Sequence, residues 1–353
     1  MDRRRQYMGL FVSFLLVFIP AASDAQIVTG RITHGPDTIG QRTSDVDNTK
    51  RDVRTTSTPY SRGFDSAIQD ETTSETYGVA ESDTFTIPVV LDGVGTYRFI
   101  LDTASSRSVI FDHTRASLGI QPDADSSMTI YALVGKQTTP ALTLKTLAIG
   151  ETVLRDVKVA SLPDSKYTTD SPIDGILGLD ILENYTLFFD TEAQTLHLYA
   201  NPAELPRRVR NWNWVRLYRQ RLDKASCDFW YFGAQLNRSA SATLLDLGAG
   251  VTIINWPMAE SLGVHRSDFT HIDSTEGVKD VFGSSSPVVL LTSLAIRIGE
   301  AGWRKQSVVV ADYPVFDVLK INEIPASLMG SGLLKNRSFA IDFHGEYLYI
   351  EDL

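Results

Sequence analysis

ILDTASS, at residues 100–106, joins an apolar run to a turn that begins at an aspartate, Asp102. The pattern returns as LLDLGAG at residues 244–250, where Asp246 takes the same place at an offset of 144 residues (246 − 102). A strand-and-turn pattern that recurs at this distance indicates two copies of one folding unit. We therefore expect a two-fold arrangement in which each copy brings one aspartate to a shared site.

Further segments extend the repeat along both copies. SLGI at residues 117–120 and SLGV at 261–264 lie at the same offset (261 − 117 = 144). IDGILGLDILENYTLFFD at 173–190 matches PASLMGSGLLKNRSFAIDF at 325–343 at an offset of 152 (325 − 173). The eight extra residues (152 − 144) fall inside the second unit, where an insertion in a surface loop costs little stability.

Short β-branched and aromatic runs between turn residues predict a mainly β fold. FTIPVVL (85–91) and TYRFIL (96–101) flank Asp92-Gly93, a strong hairpin signal. SVIF then reads as a strand, and Asp112 is expected to cap a short helix that ends at Gly119. The second unit repeats this order as DFWYFGAQL, ATLLD and VTIIN, with Asn255 and Pro257 opening its helix.

Composition excludes several classes of function. The formal net charge of −10 argues against nucleic acid as the partner. One cysteine, Cys227, cannot form an internal disulfide, and the histidines show no metal-ligand spacing. No GxSxG nucleophile turn occurs, so Gly330-Ser331-Gly332 reads as the opening of a helix. We expect neither a metal nor another cofactor.

The N-terminus resembles an export signal. A basic start precedes an apolar run of about 14 residues, shorter than a membrane span, and small residues at 23–25 offer a cleavage site. A retained signal anchor is the alternative. The stretch that follows has few large apolar residues, so we read it as a disordered leader, with a propeptide as the alternative. We predict a signal peptide at 1–25, a leader or linker at 26–76, a first lobe at 77–200, a connector at 201–224 and a second lobe at 225–353.

The duplicated aspartate turns, each followed later by an apolar-apolar-Gly element before a short helix, resemble retropepsin-like and pepsin-like aspartic proteases. That element is ILG ending at Gly178 in the first unit and LMG ending at Gly330 in the second. The resemblance runs from about Thr84 to the C-terminus. It implies two similar retropepsin-like β lobes in one chain, with a cleft between them and Asp102 and Asp246 as the catalytic pair.

The family pattern also assigns supporting roles. Thr103 matches the position whose hydroxyl bonds across the two-fold axis, and Ser105 matches the one that hydrogen-bonds its aspartate. Gly178 and Gly330 match glycines packed beneath the active-site turns, for which an ordinary turn glycine is the alternative. Two residues depart from the pattern. Ala104 stands where glycine is usual, whereas Gly248 keeps that glycine in the second turn, and Leu247 stands where Thr or Ser is usual.

A covering flap is expected between each aspartate motif and a strand in the middle of its unit, TLAIG at residues 146–150 in the first unit and SLAIRIG at 293–299 in the second. TIYALVGKQTT at residues 129–139 reads as such a hairpin, with Tyr131 as a candidate lid residue and a plain surface tyrosine as the alternative. GVKDVFGSSS at residues 277–286 is the candidate in the second unit. Neither segment indicates a substrate preference.

These observations favour an exported aspartic endopeptidase, periplasmic or secreted, that acts on peptides or unfolded proteins. A catalytically silent peptide-binding protein on the same fold is the alternative, favoured by Leu247 and Ala104. Since one chain supplies both aspartates, a monomer is sufficient. No stable membrane span is expected once the signal is removed.

Overall fold

A computed structural model describes residues 17–19, 72–80, 82–123, 126–131, 136–164, 173–221, 228–268, 277–279, 285–311 and 313–352. Within these ranges the chain is mainly β, as the sequence predicted, and its few helices are short. Cys227, most of the expected signal peptide and most of the expected leader lie outside the described residues.

The first unit consists of strands and two short helices. The strands are β1 (Val17–Ile19), β2 (Thr73–Thr76), β3 (Gly78–Val79), β4 (Phe85–Leu91), β5 (Gly95–Leu101), β6 (Val109–Phe111), β7 (Ser127–Tyr131), β8 (Lys136–Ile149), β9 (Thr152–Leu162), β10 (Gly175–Leu177), β11 (Thr186–Asp190) and β12 (Thr195–Tyr199). The helices are α1 (Asp112–Leu118) and α2 (Leu179–Leu182).

The second unit repeats that plan. Its strands are β13 (Asn213–Arg216), β14 (Tyr218–Arg221), β15 (Asp228–Leu236), β16 (Ser239–Asp246), β17 (Thr252–Ile254), β18 (Gly277–Lys279), β19 (Ser285–Pro287), β20 (Val289–Ile298), β21 (Ala301–Val310), β22 (Ala326–Gly330), β23 (Phe339–Asp342) and β24 (Tyr347–Ile350). Its helices are α3 (Trp256–Ser261) and α4 (Pro314–Val318), and 3-10 turns occur at Pro202–Glu204, Val209–Asn211, Arg266–Asp268 and Ser331–Leu333.

Each unit closes into a barrel of six described strands. In the first, the order β4-β5-β10-β6-β9-β8 is closed because β8 also pairs with β4. In the second, the order β15-β16-β22-β17-β21-β20 is closed because β20 also pairs with β15. Corresponding strands pair in the same directions, with β10 parallel to β5 and β22 parallel to β16. The duplication inferred from the sequence is therefore a duplication of barrels.

A sheet shared by both units joins the barrels. Its described order is β13-β24-β23-β11-β12-β2, and the two units meet where β11 pairs antiparallel with β23. Phe189 on β11 stacks on Phe339 on β23 with ring centroids 4.3 Å apart, and Phe85 packs on both. One buried hydrophobic cluster runs through both barrels and this sheet. Burial of this continuous apolar surface is the main force that holds the barrels together.

Most local predictions are confirmed. Asp92 and Gly93 take the positive φ angles of a tight hairpin turn, 49° and 67°. Asn255 caps α3 by accepting a hydrogen bond from the Met258 N–H at 3.0 Å. The predicted cap at Asp112 is wrong, because that residue lies in the first turn of α1 and its carboxylate instead accepts from Arg115. Gly119 ends α1 at φ 65°, as expected.

The predicted boundaries shift where sheet pairing recruits flanking residues. Thr73–Thr76, assigned from sequence to the leader, forms β2 and pairs with β12. Val17–Ile19, inside the expected signal peptide, pairs antiparallel with β7. The expected connector supplies β13 to the shared sheet and β14 to the second barrel. Arg208 in this segment is exposed and pairs with Asp190 at 2.5 Å.

Candidate active site

The aspartate turns lie where a barrel strand ends beside a parallel neighbour. Asp102 follows β5, and its N–H donates to Leu177 O at 2.9 Å, at the end of β10. Asp246 ends β16 and is in register with Gly330 on β22. Strands β5 and β16 thus present equivalent turns at equivalent barrel ends, which is how two distant segments of sequence are brought together.

Gly178 and Gly330 lie beneath the turns, as predicted. A methyl group on Gly178 would lie 2.6 Å from the Arg107 carbonyl, and one on Gly330 would lie 2.4 Å from the Val251 carbonyl. Side chains cannot come that close to backbone. The backbone beyond each glycine ties to its turn as well, because the Leu179 N–H donates to Ser105 O at 2.7 Å.

Both aspartates are completely buried, with 0% of their surfaces exposed. The pKa of Asp102 is raised well above 3.8, first because burial disfavours the charged form and second because the carboxyl group of Asp246 is close. The Ala104 N–H donates to Asp102 Oδ1 at 2.8 Å and offsets part of this rise. Asp102 Oδ2 is buried without a hydrogen-bond partner among the described residues, so one oxygen of this carboxyl is available to a ligand.

Thr103 links the two turns directly. Its hydroxyl donates to Leu245 O at 2.7 Å and accepts from the Leu247 N–H at 3.2 Å, so one buried side chain satisfies two backbone groups of the other barrel. The sequence predicted a bond across the two-fold axis at this residue, and the geometry confirms it.

The opposite half of this link is apolar. Leu247 is 0% exposed and belongs to the hydrophobic cluster that joins the barrels. It cannot reciprocate the hydrogen bonds that Thr103 makes, so packing replaces polar contacts on that side. Ala104 is also fully buried. Both departures from the family pattern therefore fit inside the closed junction.

Gly248 brings backbone against the first carboxyl group. A methyl group at this position would lie 2.5 Å from Asp102 Oδ2. The second turn therefore requires glycine, whereas its counterpart in the first turn, Ala104, accommodates a methyl group. The junction is asymmetric at this point.

Ser105 differs from its predicted role. Its hydroxyl donates to Arg107 O at 2.7 Å rather than to the aspartate carboxylate. Its contribution to Asp102 comes from its backbone N–H, which lowers the pKa of that carboxyl in part. The hydroxyl therefore stabilises the shape of the turn.

Two polar networks around the turns were not identified from the sequence. Asp180 accepts from the Ser108 N–H and hydroxyl at 3.0 and 2.8 Å, and Ser108 in turn accepts from the Gly178 N–H. Burial raises the pKa of Asp180, with Arg107 opposing that rise. The Ser108 position is echoed by Thr252, whose hydroxyl accepts from the Gly330 N–H at 3.4 Å. The sequence signal for that pair is the repeat offset, since Thr252 follows Ser108 by 144 residues (252 − 108).

The other network connects the start of the first barrel to the second aspartate turn. Ser331 donates to Asp83 O at 2.7 Å, and Lys335 pairs with the Asp83 carboxylate at 2.7 Å. A methyl group on Gly250 would lie 1.6 Å from Ser82 O. The sequence carries no signal for this contact, because it joins residues about 250 positions apart with no shared motif.

Both expected flap segments form hairpins in the described strands. β7 pairs with β8 from Ser127↔Pro140 to Tyr131↔Lys136, and β18 pairs with β19. Tyr131 ends β7, and its role as a lid residue stays a prediction. Across the ranges that the structure describes, His, Cys, Asp and Glu side chains form no group of three or more that could hold a metal. In the same ranges, no helix is long and apolar enough to cross a membrane.

Two linked six-stranded barrels, each ending in a buried aspartate turn, define a protein of the acid protease architecture. Residues 87–181, in the first barrel, match the aspartyl protease family model. The matched segment contains Asp102 and Gly178. A search of curated proteins found no match. Among solved structures, conglutin gamma, a basic 7S globulin from lupine seeds, is 9% identical with a TM-score of 0.47, covering 81% of this chain and 96% of that chain.

Proposed function

We propose that the protein is an aspartic endopeptidase in which Asp102 and Asp246 activate one water molecule. The observation that carries the proposal is the meeting of two fully buried carboxyl groups, one from each barrel, at turns joined by the Thr103 hydroxyl. The family match of the first barrel supports an aspartic protease type of function and peptide substrates. One chain brings both carboxyl groups to the junction, so the proposed unit is a monomer.

The chemistry follows from placing two like charges together. Two neighbouring carboxyl groups cannot both ionise easily, so they share one proton. The aspartate pair of aspartic proteases is the established example of this behaviour. The ionised group takes a proton from the water as the water oxygen bonds to the peptide carbonyl carbon. The protonated group gives its proton to the carbonyl oxygen, which forms a neutral tetrahedral diol. Its C–N bond then breaks as the nitrogen takes the proton that the first carboxyl group accepted from water, and the amine leaves. The other carboxylate takes a proton from a diol hydroxyl, which forms the carboxylic acid product and restores the shared proton.

Asp102 contributes one defined feature to this scheme. Its Oδ1 is held by the Ala104 N–H, and its buried Oδ2 has no hydrogen-bond partner among the described residues. A carboxyl group with its pKa raised by burial can remain protonated at mildly acidic pH and donate through such an oxygen. The apparent pKa values that govern this proton belong to the pair of aspartates and to neither residue alone.

The test is cleavage of an unfolded protein by the purified chain between about pH 3 and 7, the range in which carboxyl groups with raised pKa values titrate. Asp102→Asn and Asp246→Asn should each abolish cleavage. Asp156→Asn is the matched control, because Asp156 is exposed on β9 at φ 52°, which Asn adopts readily. Retained cleavage in either site variant, with the control active, would exclude the dyad.

A second candidate function is peptide binding without cleavage. Leu247 and Ala104 favour it, because they replace a hydroxyl and a glycine that the family pattern carries at this junction. A folded wild-type chain that binds unfolded peptides but cuts none would establish this function. Leu247→Thr with Ala104→Gly would then show whether restoring the family residues restores cleavage.

Export is part of the same proposal. The basic start, the apolar run and the small residues at 23–25 support removal of a signal peptide before Gln26. Mass spectrometry of the chain recovered outside the cytoplasm should give a mature N-terminus at residue 26. Recovery of the chain only inside the cytoplasm, with its first residues intact, would contradict export.

A further inference from the structure

A groove on the outside of the second barrel is the strongest unexplained feature of the described chain. It has a volume of about 610 Å³ and lies where the β15–β16 turn meets the β20–β21 hairpin. Its lining includes Gln235, Arg238, Arg297, Gly302, Trp303 and Arg304. We call it the arginine groove.

The arginine groove is remote from the aspartates. Ser239 begins β16 directly after the β15–β16 turn, and Asp246 ends that strand seven residues later (246 − 239). At roughly 3.3 Å per residue the two ends are about 23 Å apart. The groove therefore does not belong to the junction between the barrels.

Three arginines line this groove, and its lining contains no aspartate or glutamate. Arg238, Arg297 and Arg304 are exposed, and none forms an ion pair with an acidic side chain among the described residues. Arg297 is oriented by Gln235, whose side-chain oxygen accepts from its Nε at 3.1 Å. In a chain of net charge −10, a cluster of this kind is a local exception to the overall charge.

The floor of the groove is open because Gly302 has no side chain. A methyl group there would meet only Ile296 O, at 4.0 Å. Gly302 is the cross-strand partner of Arg297. Next to it, Trp303 lies under the guanidinium of Arg337, 4.5 Å from the ring centroid, and Arg337 also donates to Gly302 O. These contacts fix one wall of the groove.

The first barrel shows that the fold does not require this cluster. The strand pairing Gln235↔Arg297 corresponds to Val90↔Ala148 in the first barrel. Counting from the matching hairpin turns, Gly302 corresponds to Val153 and Arg304 to Arg155. The first barrel thus has Ala148 in place of Arg297 and keeps an arginine only at the Arg304 position, so barrel closure does not require the full cluster.

We propose that the arginine groove is a binding site for a phosphate-bearing anion. Guanidinium groups form paired hydrogen bonds with the oxygens of phosphate. Three positive charges suit a multiply charged phosphate group better than they suit a carboxylate with one negative charge. The phosphate belongs either to a free small molecule or to a lipid headgroup. This assignment is independent of proteolysis, because the groove and the aspartates share no residue.

The first experiment is calorimetric titration of the full chain with sodium pyrophosphate. The wild type should bind, and the triple variant Arg238→Gln, Arg297→Gln, Arg304→Gln should bind at least about tenfold more weakly, because charge-assisted hydrogen bonds are the strong ones. Arg155→Gln is the matched control, since it removes one exposed arginine from the corresponding strand position of the first barrel. It should bind as the wild type does.

A second arm identifies the source of the phosphate. Cosedimentation with vesicles of phosphatidic acid in phosphatidylcholine, against phosphatidylcholine alone, tests the headgroup. Binding to these vesicles that the triple variant loses, without binding of pyrophosphate, assigns a lipid headgroup. Pyrophosphate binding without vesicle binding assigns a free phosphate compound. Equal behaviour of the wild type and the triple variant in both arms overturns the proposal.

Discussion

The burial of Asp102 makes the stability of the folded chain depend on pH. Its pKa is raised above 3.8 in the folded chain, so folding favours its protonated form. The corresponding stability is present below about pH 3.8 and is lost as pH rises through the folded pKa. At neutral pH, where the unfolded chain ionises this carboxyl group, the raised pKa of Asp102 therefore lowers the stability of the folded wild type.

Asp102→Asn should relieve that cost. We expect the variant to melt several degrees above the wild type at pH 7, with the difference shrinking as pH falls towards 3.8. Thermal unfolding followed by circular dichroism at both pH values measures it, with Asp156→Asn as the charge-matched control. A variant less stable than the wild type at pH 7 would show that Asp102 stabilises the junction instead.

Thr103 makes the side-chain hydrogen bonds that join the two aspartate turns. Thr103→Val keeps the shape of the side chain but leaves Leu245 O and the Leu247 N–H buried without their partner. Loss of a buried partner costs about 1–3 kcal/mol, so the midpoint of urea unfolding should fall accordingly. Thr96→Val, on the exposed face of β5, is the control. Equal midpoints for the two variants would mean that the link is not formed in solution.

At the scale of elements, His113 joins three segments of the first barrel. Its Nδ1 lies 2.6 Å from Asp164, just after β9, and its Nε2 lies 3.0 Å from Asp174, just before β10. Only the protonated ring can donate to both carboxylates. Partial burial lowers the pKa of His113, but the hydrogen bonds to these two aspartates outweigh burial and the pKa is raised above 6.5.

His113→Gln should therefore destabilise the chain more at acidic than at alkaline pH. The contribution of a group with a raised pKa is complete below about 6.5 and disappears as pH rises through the folded pKa. Because the Asp164 side chain is 52% exposed, the loss should be about 1 kcal/mol or less. Unfolding midpoints at pH 5 and 8, with exposed His344→Gln as control, measure it. A loss that is larger at pH 8 would exclude the charged bridge.

Local patterns predicted the elements better than their edges. The hairpin at Asp92-Gly93 and the cap at Asn255 could be predicted because their signals lie within a few residues of sequence. Residues such as Thr73–Thr76 could not be placed, since their strand forms only by pairing with β12. The same limit applies to the site. Duplication identified Asp102 and Asp246, but the hydroxyl of Ser105 is directed by the local turn and not by the motif.

At the scale of the whole molecule, the two barrels are held by unlike contacts on the two sides of their junction. Thr103 forms hydrogen bonds, Leu247 packs, and Gly250 lies directly against the backbone of Ser82. The two copies of the unit therefore carry different residues at equivalent positions of the junction. Two separate molecules of an identical chain would carry the same residues on both sides.

Gly250→Ala tests that contact. A methyl group there would lie 1.6 Å from Ser82 O, so the first barrel's N-terminal segment must move away from the second aspartate turn. Overpacking of this kind costs about 1–3 kcal/mol or more, and cleavage should fall because the turn shifts. Gly233→Ala is the control, since no atom lies within 4 Å of its added methyl group. Wild-type stability and cleavage in Gly250→Ala would contradict the contact.

The central claim is that one carboxyl group from each barrel shares a single proton in the working site. The measurement that tests it most directly is kcat/KM for a peptide substrate as a function of pH. The account predicts a bell-shaped profile on the acidic side of neutrality, with two apparent pKa values that belong to the pair. A rate that rises steadily to pH 8, with no acidic optimum, would contradict a shared-proton pair of aspartates.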